Sequence, residues 1–259
     1  KAADTTEAVN RVRISFAASG ETDSGIAFGL SARADQSNTT TGGSQYISGA
    51  FGKIKMGDLG GADKDAAGHI AGGVGVSGMG SANEIAYQAS GHNLGYEFSA
   101  SGITFGYSQD TAIQTGSNSA MGIKWSGDMG GTGLTVGLGQ SKMGTSTQST
   151  MSVAVSMSGL TIKAISSTND NGPATSTTET VAAAGVAYIA GATDAKNDTD
   201  HTGVSISYAM DAMTVTAYTK TVSTTGAADK DYTGLGFTYD MGGATLKAGM
   251  VDDDNITSM

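Results

Sequence analysis

Apolar side chains recur at every second position in one short segment of this chain after another. Val12, Ile14 and Phe16 show the pattern near the start, and the stretch "SGITFGYS" at 101–108 returns in altered form several times later. A period of two places successive side chains on opposite faces of a β-strand, so the pattern predicts an all-β protein. About fourteen strands are predicted by this criterion. They cover residues 11–19, 26–34, 44–51, 53–59, 94–100, 103–109, 119–126, 134–141, 150–157, 160–167, 202–209, 213–221, 232–239 and 244–251.

The connections between these segments alternate between short and long. The short corners, marked by Gly or Asp, lie at residues 19–25, 51–53, 101–102, 127–133, 158–159, 210–212 and 240–243. The long polar connections lie at residues 35–43, 60–93, 110–118, 142–149, 168–201 and 222–231. Hairpins with tight turns at one end and long loops at the other indicate an antiparallel up-and-down sheet, and barrels of the outer membrane have this asymmetry.

The charged residues of the strands test this arrangement. If the apolar side chains of each strand define one face, ten charged residues fall on the other. They are Arg11, Arg13, Arg33, Lys53, Lys55, Glu97, Lys124, Lys163, Lys220 and Lys247. That second face otherwise carries Gly, Ser, Thr and Ala more than the Lys, Glu and Asp of a solvent-exposed face. A soluble sandwich or barrel is the alternative interpretation, but small residues with scattered bases favour the lining of a water-filled tube.

Aromatic residues near the strand ends are typical of the interfacial girdles of a membrane barrel. Tyr208, Tyr239 and Phe98 lie near short turns, whereas Tyr107 and Tyr46 lie toward long connections. We therefore expect an apolar outer surface bounded by two aromatic belts.

Composition excludes several other classes. The chain has 259 residues, no cysteine, 40 glycines and a net charge of −10. Without cysteine there is neither a disulfide framework nor a thiolate metal site. Nucleic acid is not expected as a partner, because phosphate binding needs clustered Lys and Arg. No run approaches the roughly 18 apolar residues of a membrane helix, and no signal peptide is visible.

The direction of the strands predicts further chain at both ends. The first predicted strand runs into a short turn and the last one leaves a short turn, so both ends would lie on the long-loop side. Outer-membrane barrels normally keep both termini on the short-turn side. We therefore expect one strand before Lys1 and one after Met259, and the resulting barrel of about sixteen strands would enclose an aqueous channel.

Three stretches carry a family resemblance. "RVRISFAASGETDSGIAFGLSARAD" (11–35), "YISGAFGKIKMGDLGGAD" (46–63) and "SGITFGYS" resemble the general porins of alphaproteobacteria, the group that includes the Rhodobacter porins. The likeness is strongest over residues 8–65 and 94–108 and weakens in the later hairpins, where strand spacing still agrees.

The resemblance implies a single domain over 1–259, a transmembrane antiparallel β-barrel of the bacterial outer membrane in contact with lipid and lipopolysaccharide. It further implies a homotrimer, passive diffusion of small hydrophilic solutes and ions, and a third long loop that folds inward and constricts the pore. Here that loop is 60–93.

The resemblance also implies a constriction in which a basic wall faces an acidic inserted loop. The candidate basic residues are Arg11, Arg13, Arg33, Lys53 and Lys55, and the candidate loop acids are Asp58, Asp63, Asp65 and Glu84. Such an arrangement creates a transverse field that orients polar solutes. The other lumen-facing charges are Glu97, Lys124, Lys163, Lys220 and Lys247. The alternative is that some of these charges line a wide vestibule or lie at a subunit contact.

Cofactor motifs are weak. "GVGVSG" (73–78) matches a dinucleotide pattern but does not follow a buried strand, so glycines that let a loop bend explain it better. Two acid clusters could hold structural Ca²⁺ through carboxylate oxygens, although solvated loop tips are the simpler interpretation. They are Asp194, Asp198 and Asp200, and Asp252, Asp253 and Asp254. No other cofactor is expected, and His69, His92 and His201 are far apart in the sequence.

Two other functions stay open at this point. An outer-membrane barrel enzyme would need acids and His gathered at the long-loop rim, and no Ser–His–Asp arrangement is evident. A secreted or surface adhesin of β repeats would show a fixed strand period, whereas the intervals here vary widely. The apolar segment 179–192 would spoil the pairing of hairpins if it were a strand, so we interpret it as part of a long exterior loop.

Overall fold

Fourteen antiparallel strands form one sheet in which every strand is bonded to its neighbours in the sequence. The computed structural model describes residues 12–35, 42–71, 83–88, 91–112, 118–171 and 198–253. The strands are β1 (Arg13–Glu21), β2 (Ala27–Asp35), β3 (Gly43–Gly49), β4 (Gly52–Leu59), β5 (His92–Ala100), β6 (Ile103–Gln109), β7 (Asn118–Asp128), β8 (Gly133–Met143), β9 (Ser146–Met157), β10 (Leu160–Asp170), β11 (Thr199–Met210), β12 (Met213–Thr224), β13 (Lys230–Asp240) and β14 (Thr245–Asp253). The predicted strand number and up-and-down order are confirmed.

Two-residue turns explain the repeated strand opening in the sequence. At 101–102 the turn residues have φ of 50° (Ser101) and 79° (Gly102), and at 158–159 they have 48° (Ser158) and 82° (Gly159). Positive φ at both positions matches the twist of the flanking strands, and Gly adopts it without steric cost. Each "SG" pair therefore ends one strand and starts the next.

The two faces of the sheet differ as the alternation predicts. On β9, Met151 is 53% exposed, while Gln148 and Thr150 on the other face are 1% and 4% exposed. Exposed large apolar side chains recur on the same face as Met151 from Phe16 on β1 to Leu246 on β14. The face with Gln148 is the concave one, because the chain between β4 and β5 packs against it.

One residue of the predicted girdles is on the other face. Tyr46 pairs with Gly29 on β2 and with Lys55 on β4, and its ring packs over Gly29. The ammonium of Lys53 lies 4.7 Å from the ring centroid of Tyr46. Because direct cross-strand partners share a face, Tyr46 belongs to the lumen and its assignment to an outer belt was wrong.

The predicted long connection at 142–149 is also wrong. β8 continues to Met143 and β9 begins at Ser146, so a tight turn with Gly144 at φ 62° replaces it. The strict alternation of short and long connections fails here because Lys142 and Thr147, although polar, pair with each other across the hairpin.

The chain between β4 and β5 turns inward at a β-bulge. The register shifts between Met56 and Leu59, and Gly57 takes a φ of 111°. A bulge of this kind bends its strand and re-aims the chain that follows. Residues 60–71, which include the short helix α1 (Ala62–Ala67), and residues 83–88 then lie against the concave face. These two stretches are called the inserted segment below.

The inserted segment provides the small apolar core of the molecule. Ala67, Ile70 and Ile85 from the segment are buried with Ile165 of β10 and Tyr218 of β12. Val251 on β14 packs against the same cluster, so the sheet curls around the segment. None of the described residues belongs to a helix with the length and apolar character needed to cross a membrane.

Candidate functional site

Glycines on the concave face form the seat of α1. A Cβ at Gly139 would lie 2.7 Å from the Cα of Asp63, and one at Gly122 would lie 2.6 Å from the Cβ of Ala66. Gly137 meets the carbonyl of Ala66 in the same way. Contacts this short leave no room for a side chain, so α1 approaches the backbone of β7 and β8 directly. The small residues of the inner face therefore have a specific structural role at these positions.

Lysine side chains of β10 and β12 hold the inserted segment by donating hydrogen bonds to its carbonyl oxygens. The Nζ of Lys163 on β10 donates to the carbonyl of Ala67 at 2.7 Å, and the Nζ of Lys220 on β12 donates to the carbonyl of Glu84 at 3.2 Å. The hydroxyl of Ser205 on β11 donates to the carbonyl of Ile70 at 2.6 Å. A hydrogen bond with a charged donor stabilises more than a neutral one. The two lysines predicted simply to face the lumen are thus tethers.

Gln148 of β9 makes a further tether with both ends of its amide. Its Oε1 accepts from the backbone N–H of Gln88 at 2.7 Å, and its Nε2 donates to the carbonyl of Ala86 at 2.9 Å and to Ser167 at 2.9 Å. The side chain is 1% exposed. An amide satisfied on both sides at this depth fixes the returning limb of the segment.

A buried chain of hydrogen bonds fixes the start of α1 to strands β5, β6 and β7. The N–H of Ala62 donates to Ser108 Oγ at 2.8 Å, Ser108 Oγ lies 2.7 Å from His92 Nδ1, and His92 Nε2 lies 2.9 Å from Asn118 Oδ1. His92 is fully buried. The donors and acceptors agree if Ser108 donates to Nδ1 and Nε2–H donates to Asn118, so the neutral tautomer with the proton on Nε2 satisfies every group.

Asp63 of α1 is buried next to this hydrogen-bonded chain, and its carboxylate lacks hydrogen-bond partners within the part of the chain that the structure describes. It is 0% exposed, and neither carboxylate oxygen has a hydrogen-bond partner among the described residues. Burial raises the pKa of Asp63, while the nearby Ser141 hydroxyl and the backbone groups of Lys64 and Asp63 act in the opposite direction. A buried carboxyl without partners favours its neutral form. Asp63 therefore faces the wall, not the passage where the sequence placed it.

The two limbs of the inserted segment are bonded to each other. The N–H of Ile85 donates to Nδ1 of His69 at 3.0 Å, and the hydroxyl of Tyr87 donates to the carbonyl of Gly68 at 2.6 Å. Burial, with the charge of Lys64 next in importance, lowers the pKa of His69, and burial raises that of Tyr87. Both side chains are therefore neutral when the limbs are joined.

Three of the predicted charged residues meet where α1 faces strands β4 and β5. Lys55 Nζ lies 3.3 Å from Asp65 Oδ2 and 3.4 Å from Glu97 Oε2. This links the exposed face of α1, which also carries Lys64, to β4 and β5. Lys53 lies over Tyr46 beside this cluster, and the Nε of Arg33 is buried without a hydrogen-bond partner among the described residues. The role of these groups in narrowing the passage stays a prediction.

The remaining predicted site residues lie elsewhere. Asp58 is exposed at the bulge, and Glu84 is exposed on the returning limb; neither forms an ion pair with a described residue. Lys124 lies on the concave face of β7, and Lys247 pairs with Thr238 at the far end of the sheet. Arg11, Asp194, Asp254, 73–78 and 179–192 lie outside the described residues, as do the side chains of Arg13 and Asp253 and the parts of 60–93 at 72–82 and 89–90.

The described part of the chain does not hold a metal site. No three His, Asp or Glu side chains of these residues converge as ligands. Asp198 uses Oδ1 to accept the N–H of Asn171 at 3.1 Å, and Asp200 lies within β11. Structural calcium at the exterior loops stays an untested expectation.

Several residues of this site carry no clear sequence signal. Counting by twos from Leu94 would turn His92 outward, but it bonds to Ser108 and Asn118 on the concave face because pairing is irregular beside the bulge. Gln148 lay in a segment predicted as a loop. Extending the strand pattern of β9 backward by one pair of residues would have placed Gln148 on the inner face.

Comparisons with known proteins agree with this architecture. No protein-family model matches the chain. Over 58 residues the chain is 48% identical to a porin of Rhodobacter capsulatus, a match that spans 21% of this chain and 19% of that protein. The matched region is thus a small part of the relative.

Solved structures extend the likeness to nearly the whole chain. A porin structure matches with a TM-score of 0.70 and 24% identity, over 95% of this chain and 88% of the other. A variant of the Rh. blastica porin matches with a TM-score of 0.63 and 17% identity, over 94% and 88%. An anion-selective porin from Comamonas acidovorans matches with a TM-score of 0.61 and 14% identity, over 93% and 78%. The chain has the porin barrel fold, and the resemblance to Rhodobacter-type porins is confirmed.

Proposed function

We propose that this chain is a general porin of the bacterial outer membrane, a water-filled channel through which small hydrophilic solutes and ions diffuse passively. The observation that carries the proposal is the division of the sheet into two faces. Large apolar side chains such as Phe16 and Met151 are exposed on the convex face, whereas the concave face is polar and holds the inserted segment. An apolar band facing lipid and a polar interior are what a membrane barrel with an aqueous lumen requires.

The inserted segment supports a narrowed passage rather than a plugged one. Its outer side carries exposed charges, Lys64 and Asp65 on α1 and Glu84 on the return. Opposite charges held on rigid elements at a constriction favour solutes with hydrogen-bonding groups over apolar ones. The proposal includes a homotrimer and contacts with lipid and lipopolysaccharide, as the resemblance implies.

One observation bears on the rival enzyme. Ser108 and His92 are 2.7 Å apart and Asn118 lies behind the ring, an arrangement that resembles a nucleophile, a base and an orienting group. However, Ser108 is 3% exposed and its oxygen already accepts the N–H of Ala62. A nucleophile needs access to substrate and an available oxygen, so this trio serves as an anchor and the proposed channel is not an enzyme.

Planar bilayer recordings test the proposal. Purified protein in detergent should insert and give stepwise conductance increases in KCl, grouped in threes if the trimer forms. Replacing Arg11, Arg13 and Arg33 together by Gln should shift ion selectivity toward cations, because these bases belong to the predicted basic wall. Esterase and protease assays on the same sample serve as the control. Hydrolysis without conductance would reject the channel in favour of the enzyme.

A further inference from the structure

Methionines lie at the short-turn ends of four successive hairpins. Met157 and Met210 are the last residues of β9 and β11, and Met129 and Met241 lie in the turns that follow β7 and β13. These four residues are between 39% and 61% exposed. They are called the methionine rim below.

The neighbouring tyrosines place the methionine rim at the aqueous edge of the barrel. Tyr208 precedes Met210 by two positions and Tyr239 precedes Met241 by two, so each Tyr lies farther from the turn than its Met. Tyr concentrates at membrane–water interfaces, because its ring is apolar and its tip is polar. Met157 lies at the edge as well, since only a two-residue turn follows it. We therefore expect the rim thioethers to meet water.

Met121 and Met151 provide a comparison on the convex face. They are 48% and 53% exposed, much like the rim residues, but they lie within the strands. Leu138 pairs with Ile123 on β7 and with Met151 on β9, so both methionines belong to the apolar band. In the proposed channel that band faces lipid. The two sets of methionines thus differ in the medium around them and not in how far they are exposed.

The property that distinguishes methionine from leucine at the rim is the chemistry of its sulfur. The sulfur lone pair can attack one oxygen of hydrogen peroxide, and the O–O bond then breaks. That oxygen stays on the sulfur and its proton passes to the other oxygen, which leaves as water; sulfur is oxidised by two electrons and peroxide is reduced. The sulfoxide is polar. The rim can hold it in water, whereas in hydrocarbon it would lack hydrogen-bond partners.

We propose that the methionine rim is a reversible modification site, at which hydrogen peroxide forms sulfoxides and methionine sulfoxide reductases restore the thioethers. The reverse step takes two electrons from a dithiol, which becomes a disulfide, and releases the sulfoxide oxygen as water. A water-filled channel admits a small polar molecule such as peroxide and delivers it to the short-turn side. The inference rests on the membrane placement in the proposed function and on no property of the inserted segment.

Peroxide treatment of the protein in nanodiscs of saturated lipid tests this inference. Both rims are open to water there, and peptide mass spectrometry measures the sulfoxide at each methionine over time. The four rim residues should oxidise at least about ten-fold faster than Met121 and Met151, because peroxide that enters hydrocarbon loses its hydrogen bonds to water. In protein unfolded by heating in detergent, all six should oxidise at nearly equal rates. Sulfoxide reductases of both epimer specificities, with dithiothreitol, should then restore the rim in the nanodiscs.

Peroxide consumption by the nanodiscs, with reductases and dithiothreitol present, gives a second readout. Replacing Met129, Met157, Met210 and Met241 together by Leu should lower the protein-dependent rate at least about two-fold, since oxidation follows exposure to the oxidant. The matched control, Met121→Leu with Met151→Leu, should behave as the wild type.

Three outcomes would overturn the modification site while stepwise KCl conductance still supported the channel. They are equal oxidation of the rim and the band in nanodiscs, rim sulfoxides that the reductases leave in place, and equal peroxide consumption by the two variants. Absence of conductance steps together with equal oxidation of all six methionines would reject the membrane channel itself.

Discussion

The near wall, β4 to β7, and the far wall, β9 to β12, use the same kind of inward lysine in different ways. On the far wall, Lys163 and Lys220 donate to main-chain carbonyls of the inserted segment. On the near wall, Lys55 pairs with side-chain carboxylates and Lys124 stays available to the lumen. What lies opposite a lysine, and not its place in the alternation, thus decides whether it holds the inserted segment or pairs with carboxylates beside water.

The comparison has a physical basis in where the segment rests. Its apolar residues, such as Ile70 and Ile85, pack on the far side, whereas α1 lies over glycines of β7, the last strand of the near wall, and of β8, the strand that separates the two walls. Burial and carbonyl tethers make the far wall a support. The near wall keeps its charges beside water, and we expect any discrimination between solutes to arise there.

The largest effect is expected where α1 meets the backbone. Gly139→Ala places a Cβ 2.7 Å from the Cα of Asp63, and overpacking of this kind costs about 1–3 kcal/mol. The segment should leave its seat, and single-channel conductance should rise or become noisy. Gly133→Ala is the matched control on the same strand and face, because its Cβ would meet Ser156 at an ordinary 3.7 Å. Unchanged conductance in Gly139→Ala would contradict the seat.

Removal of one far-wall tether should have the next largest effect. Lys163→Met keeps most of the side-chain volume but loses the charged bond to the carbonyl of Ala67, worth about 1.5–3 kcal/mol. The constriction should loosen, which would appear as greater open-channel noise and faster entry of larger sugars into liposomes. Lys247→Met should behave as the wild type. If both variants matched the wild type, Lys163 would be a lining residue and the two walls would not differ.

A substitution in the near wall should change the ion selectivity of the channel and leave unaltered the size of the largest sugar that can pass. Lys55→Met leaves Asp65 and Glu97 without their shared cation, so the passage should favour cations more strongly. The change in the K⁺ to Cl⁻ permeability ratio should be roughly two- to five-fold, because the groups are partly exposed to water. Reversal potentials in a KCl gradient measure it, and the sugar size limit serves as the internal control. A changed size limit with constant selectivity would make Lys55 a tether like Lys163.

The smallest effect concerns the contribution of Asp63 to the pH dependence of stability. The pKa of Asp63 is raised by burial, so as pH increases this carboxyl ionises in the unfolded chain before it ionises in the folded protein. The folded state loses stability from the ordinary carboxyl range up to the raised pKa. Asp63→Asn should match the wild type in acid and be more stable above that window, as measured by heat-dependent gel mobility across pH. His69 has the opposite effect on the pH dependence of stability, because its lowered pKa costs stability as pH falls below the usual His range. This effect is the same in the wild type and in Asp63→Asn, so it cancels when the two are compared. Parallel curves would mean that Asp63 is solvated.

The sequence predicts the sheet well because alternation is a local property. A residue such as Met151 needs only its strand neighbours to be assigned to the outer face, and the "SG" turns carry their own conformational preference. Arg33, Lys55 and Lys163 could all be placed on the inner side in this way. Their roles depend on what packs against them, and that information is absent from a local pattern.

The errors have the same origin. Tyr46 was assigned outward from its position near a strand end, and the bulge that turns His92 inward breaks the counting on which assignment depends. Asp63 was predicted to face the passage because loop acids usually meet water. Its burial follows from α1 lying flat on glycines of other hairpins, which no single segment of sequence reveals.

The tethers of the far wall also set an order of assembly. Each strand pairs with the next strand along the chain, so hairpins can form from short-range contacts. In contrast, Lys163 meets a residue 96 positions away, and Ser205 and Lys220 meet residues 135 and 136 positions away. Contacts with such separations carry a larger entropic cost of chain closure and form late. A newly synthesised molecule should therefore pass through a stage with a wider bore, before its last hairpins capture the segment and reduce the opening to its mature size.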